Sequence, residues 1–134
     1  MKNVNPATLS SAALAYLGDS VIEICVRRFL VSKGISHSAE LNASALSFVR
    51  AGAQSEAVKL ILPILTEDEE AAFRRGRNMG HSSSPKSATV GQYRAATGME
   101  ALFGWLYIQG LNDRIDKLFN IAYKEQIEKI INKI

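Results

Sequence analysis

The chain has 134 residues, 47% of them hydrophobic and 22% charged, with a formal net charge of +3. That length supports one ordinary domain, read here as spanning residues 1–134, with a core that needs no disulfide or metal staple. No uncharged apolar run approaches the ~18 residues of a membrane span, and the lone Cys25 excludes an intramolecular disulfide and fits a reducing cytoplasm.

Near the N-terminus, Pro6, three polar residues and then Asp19 break the apolar stretch that a signal peptide requires. Ser10 or Ser11 caps a long helix that reaches about Lys33 and stops at Gly34. Within it, Cys25 lies between Ile24 and Val26 and reads as an inert core thiol. Ser38 opens a second helix, with Leu41, Ala45, Phe48 and Val49 as its apolar stripe. A third carries Ala57, Val58, Ile61 and Leu62 until Pro63 interrupts it. Thr66 and Glu69 match a capping box for a short helix ending near Gly76. "GRNMGHSSSPKSA", rich in Gly, Ser and Asn, reads as loop. From about Ala88 a long apolar helix follows, and an amphipathic one runs from Asn112 towards Ile131. No alternation of period two persists, so the fold class is all-α. His37 and His81 are isolated, without a second Cys or His at ligand spacing for structural zinc.

Two acids stand where burial is expected. Asp19 sits inside "ALAYLGDSVIE", and Glu100 inside "ATGMEALFGWLYI". An ionised carboxylate without a partner is costly away from water. Small neighbours, Ala15 and Gly18 beside Asp19 and Ala96, Thr97 and Gly104 beside Glu100, let the two helices approach closely. Both carboxylates would then share one narrow crevice, where their repulsion is relieved by a proton or by a divalent cation. Hard oxygen ligands of this kind suit magnesium or manganese.

Charge is distributed unevenly. From Ala71 to Met99 there is no Asp or Glu, while Arg74, Arg75, Arg77, Lys86 and Arg94 fall in that span. Such a stretch points to an anionic partner such as a nucleic-acid backbone. Arg77, Lys86 and Arg94 are expected to meet phosphates or 2′-hydroxyls, with Tyr93 as a nearby hydroxyl donor. Arg74 and Arg75 serve equally well as complements to the C-terminal end of their helix.

"ALAYLGDSVIE" resembles the signature helix of the ribonuclease III catalytic domain, centred on Leu-Gly-Asp, and "TGMEALFGWLYI" resembles that family's second acidic helix. "RRGRN", "SPK" and "YRAATGMEAL" are similar to the mini-ribonuclease III branch, the catalytic domain without a double-stranded RNA-binding domain. The resemblance runs from about Ala12 to Phe119 and implies a homodimeric, ribonuclease III-like helical fold. It implies hydrolysis of double-stranded RNA, with Asp19 and Glu100 as catalytic residues and ligands of Mg2+, for which Mn2+ can substitute. Arg77, Asn78, Lys86, Tyr93 and Arg94 are the expected RNA-binding residues. The implied substrate is the ends of precursor 23S ribosomal RNA, with assistance by a ribosomal protein left open.

Ala15 and Thr97 stand where full-length ribonuclease III carries two further acids, which puts a fully ligated pair of metals in doubt. Glu23, one turn after Asp19, is read as structural. Tyr16, Phe103 and Trp105 are candidates for a dimer face, each with core packing as its plainer role. A non-catalytic RNA-binding or ribosome-associated module of the same fold is the alternative. Ala15 and Thr97 favour it, whereas the retention of Asp19 and Glu100 in apolar settings speaks against it.

Overall fold

The computed structural model describes residues 4–79 and 89–133, and those residues contain seven α-helices, two short 3-10 turns and no strand. The helices are α1 (Ser11–Ser32), α2 (Ser38–Val49), α3 (Ala51–Ile61), α4 (Glu67–Arg77), α5 (Val90–Ile108), α6 (Asn112–Ala122) and α7 (Lys124–Lys133). The all-α expectation holds.

Helix α5 is the axis, with α1, α4 and α3 packed along it; α6 lies on α3 and α5, and α7 touches α2 and α6. The sequence explains this placement. Met99, Leu102, Phe103 and Leu106 of α5 are fully buried together with Ile22 and Val26 of α1, Ile61 of α3 and Leu118 of α6. Each such side chain withdrawn from water contributes roughly 1.5–3 kcal/mol. Phe48 forms an aromatic cluster with Phe29, Phe119 and Tyr123, stacking on Phe119 at 6.3 Å between centroids.

Local signals place the helix ends. Ser10 caps α1 by accepting the Ala13 N–H, and Gly34, at φ 86°, supplies the left-handed residue that turns the chain away. Thr66 and Glu69 form the expected capping box of α4. A second one, Thr89 with Gln92, starts α5 two residues later than expected. Cys25 is 3% exposed, and burial pushes its thiol up to about 11, so it stays protonated.

The last expected helix is divided. Tyr123, at φ −108° and ψ 25°, separates α6 from α7. No Gly or Pro marks the break, and the apolar spacing continues across it. Tertiary packing decides: the Tyr123 ring is fully buried and lies 5.5 Å from Phe48 and 5.2 Å from Phe119.

Candidate active site at a glycine crossing

Helices α1 and α5 touch through glycine. A Cβ added at Gly18 would stand 1.6 Å from the Glu100 carbonyl oxygen, and one at Gly104 would stand 2.0 Å from that of Leu14. Real Cβ atoms do not approach so closely, so only glycine permits this contact between backbones. The crossing also fixes the acids, because Asp19 follows Gly18 and the backbone of Glu100 is what Gly18 touches. Asp19 and Glu100, 81 positions apart in the chain, meet as a consequence.

Their environments differ. Asp19 is exposed, whereas Glu100 is half-buried. The reason is geometric: Asp19 stands at the outer edge of α1, while Glu100 lies under the crossing. Burial, then the charge of Asp19, then a hydrogen bond with Asp19 push the Glu100 carboxyl up to about 8. Among the described residues neither acid has an ion-pair partner. Two facing carboxylates with no cationic side chain paired to them among the described residues, one of them holding its proton up to neutral pH, form a donor pair that fits a hard divalent ion. Among the described residues no group of three or more His, Cys, Asp or Glu is placed to hold a metal.

A second glycine contact brings up α4. A Cβ at Gly76 would meet the Ala101 Cβ at 2.5 Å and the Thr97 carbonyl oxygen at 3.1 Å, and one at Gly98 would strike the Phe73 ring at 2.7 Å. The C-terminal end of α4 thus abuts the stretch of α5 that carries Glu100. Arg77 lies over the Phe73 ring at 5.9 Å and donates through Nε to the Asn78 side-chain oxygen at 3.2 Å. Asn78 ends α4, donating its N–H to the Arg74 carbonyl. Met79 then packs on Leu14, Ala15 and Ala101. On α5, Tyr93, Thr97 and Glu100 follow one another at four- and three-residue spacing and so share a face. The Thr97 hydroxyl donates to the Tyr93 carbonyl at 3.0 Å, and Arg94 is exposed one turn before Gly98. Lys86 lies outside the described residues.

The remaining expectations divide. Glu23 pairs with Arg27 on the surface of α1. Arg74 pairs with Glu70 one turn before it, at 3.1 Å. Phe103 is wholly in the core and Trp105 is partly buried, whereas Tyr16 is 86% exposed, so only Tyr16 offers its ring to a partner. Sequence reasoning missed the clamp that holds α4. Arg114 donates to both carboxylate oxygens of Glu69 at 2.7 Å and to the Ile64 carbonyl at 2.8 Å. Burial would raise the Glu69 carboxyl, but the bonds from Arg114 and Thr66 outweigh it and hold it below its ordinary value. No local pattern could have signalled a pair separated by 45 positions.

The chain is similar to known proteins in sequence and in fold. The profile of the ribonuclease III domain family matches residues 12–111. A Mini-ribonuclease 3 of Symbiobacterium thermophilum is 41% identical over 122 residues, covering 91% of this chain and 94% of that protein. The Mini-ribonuclease 3 of Enterococcus faecalis is 39% identical, covering 87% of this chain and 90% of that one. A crystal structure of a Fusobacterium nucleatum protein superposes with a TM-score of 0.80 at 31% identity, covering 89% of this chain and 95% of the other.

Proposed function

The chain belongs to the ribonuclease III domain family, and from that premise we propose that it hydrolyses double-stranded RNA with magnesium at Asp19 and Glu100, as a homodimer maturing the ends of precursor 23S ribosomal RNA. The observation that carries this reading is the pair of facing carboxylates at the Gly18–Gly104 crossing, which have no ion-pair partner among the described residues.

Each residue has a part in it. Asp19 and Glu100 would hold the ion; manganese, with similar oxygen preferences, could replace magnesium. An ion held there would supply positive charge for the scissile phosphate and would activate water. Gly18 and Gly104 set the separation of the two acids by letting the backbones touch. Arg77, Asn78 and Arg94, with Lys86 and the Tyr93 hydroxyl, bind backbone phosphates or 2′-hydroxyls along the duplex. Duplex RNA presents a shallow minor groove, so such contacts read shape more than sequence. One site faces one strand, and a two-fold partner supplies the second site for the other strand. Tyr16, Ile24 and Val31, all exposed on α1, give this dimer an apolar face. A monomer in sedimentation at micromolar concentration that still cuts both strands would contradict it.

The deciding experiment incubates a long RNA duplex with the protein, with and without magnesium, and resolves the products on a gel. Asp19→Asn and Glu100→Gln keep side-chain shape and remove charge, so each should slow cleavage at least ~100-fold while the helical circular dichroism is unchanged. Near-normal turnover by either variant refutes the site. Duplex binding without cleavage by the native protein would instead identify a non-catalytic RNA-binding module.

A further inference from the structure

We propose that Gln54 and Tyr123 are positioning residues for Glu100. A buried hydrogen-bonded chain from Gln54 through the Tyr123 hydroxyl to Met99 fixes the rotation of α5 at the residue before the acid. The inference rests on the nuclease reading and adds what holds one of its carboxylates in place. Tyr123 donates its hydroxyl proton to the Met99 Sδ at 3.9 Å. The Gln54 side chain bonds the same hydroxyl, and with that proton already given away its amide N–H is the donor. Three elements are thereby joined: α3, the bend between α6 and α7, and α5.

Both polar groups stand where apolar ones would be expected. Gln54 is 6% exposed and precedes Ala57, Val58 and Ile61 on the buried stripe of α3. Tyr123 and Met99 are wholly buried. Packing against Phe48 and Phe119 would be served as well by phenylalanine, and a thioether is a weak acceptor for a hydroxyl taken out of water. Departures from the apolar rule are expected at functional sites, and this pair lies against the segment that carries the acid. Burial chiefly raises the Tyr123 hydroxyl, the Gln54 bond lowers it, and the Glu100 charge raises it further. Glu100 is therefore within electrostatic reach of the hydroxyl. The glycine contacts at the crossing set how close α1 and α5 come, but van der Waals contacts have no direction, whereas hydrogen bonds do. A rotation of α5 by about 10° would carry a group at the ~5–6 Å side-chain radius of a helix through about 1 Å. Misplacement of that size costs as much as ~100-fold in rate.

The decisive variant is the double substitution Gln54→Met with Tyr123→Phe, in which both partners become apolar at similar shape and no polar group is stranded. Its Tm should be native or higher. Its kcat for duplex cleavage should fall at least ~10-fold with KM unchanged, and Mn2+ should bind ~10-fold more weakly, read from the free ion's electron paramagnetic resonance signal. Tyr123→Phe alone should show the same loss of kcat with a lower Tm, because it strands the Gln54 amide; it serves as the test if the double variant does not fold. Native kcat and native Mn2+ affinity in the folded variant would overturn the inference, as would a rise in KM alone. Weakened Mn2+ binding by the variant of a protein that cuts no duplex RNA supports the positioning and sinks the nuclease reading.

Discussion

Gly18→Ala tests the crossing most directly. The new Cβ would lie 1.6 Å from the Glu100 carbonyl oxygen, 2.5 Å from its carbon and 2.8 Å from the Gly104 nitrogen. Ordinary contact begins at 3.4 Å, so α1 and α5 must part by close to 1.8 Å. The atoms struck are backbone in the middle of a helix and cannot rotate aside. Overpacking of this kind costs roughly 1–3 kcal/mol or more, while the helix preference of Ala over Gly returns about 1 kcal/mol. Because backbone is struck, the upper part of that range applies, and a net loss of about 2 kcal/mol is expected. For a domain of this size that lowers Tm by roughly 8 °C. The loss of activity should be larger than stability alone explains. Separating Asp19 from Glu100 by more than about 1 Å should cost ~100-fold in cleavage at a temperature where the variant is folded. Gly52→Ala serves as the control, since its added Cβ meets only the Gln92 amide nitrogen at 3.7 Å, and no loss is expected. Gly104→Ala opens the same crossing, so the double variant should fall short of additivity. Calorimetry and duplex cleavage measure both effects. A Gly18→Ala protein with native Tm and native rate would refute the close contact and the reason given for the acids meeting.

Glu100→Gln should raise Tm in metal-free protein at pH 9 and leave it nearly unchanged at pH 4. A carboxyl raised to about 8 favours the folded state's protonated form, so native stability falls as pH climbs from the ordinary carboxylate range through about 8; equal Tm differences at both pH values would contradict this. Glu69 runs oppositely: its depressed carboxyl stabilises the fold above the ordinary range and loses that contribution as pH falls through its lowered value. Glu69→Gln should therefore flatten the acid limb of an unfolding curve. Arg114→Met, which strands a buried carboxylate, should cost about 2 kcal/mol, less than the ~3–5 kcal/mol of a fully buried pair because Arg114 is partly exposed; denaturant titration reads this. Lys86→Ala and Arg94→Ala should each weaken duplex binding across sequences and reduce the salt-dependence slope by about one unit, raising KM more than they lower kcat. Unchanged affinity and slope in both would remove this segment from the RNA interface.

Much of this molecule was legible in the sequence because its signals are local. Helix periodicity, the Ser10 cap, the Thr66–Glu69 box and the stop at Gly34 depend on residues within one or two turns of each other. They specify the helices without knowledge of what packs on what. The two acids were also visible, since a carboxylate in an apolar run must either reach an exposed edge of its helix or find a partner. Small neighbours announced that their helices could approach. Three things required the tertiary structure. The break at Tyr123 has no local mark, because the same apolar spacing serves one helix or two, and only the aromatic cluster on Phe48 selects the bend. The Glu69–Arg114 clamp joins residues 45 positions apart, beyond any periodic pattern. The unequal lot of the acids, Asp19 outside and Glu100 beneath, follows from how two glycines let the helices cross. A sequence lists the residues that could touch, whereas solvent exposure, and with it the proton on Glu100, is a property of the packed surfaces around them.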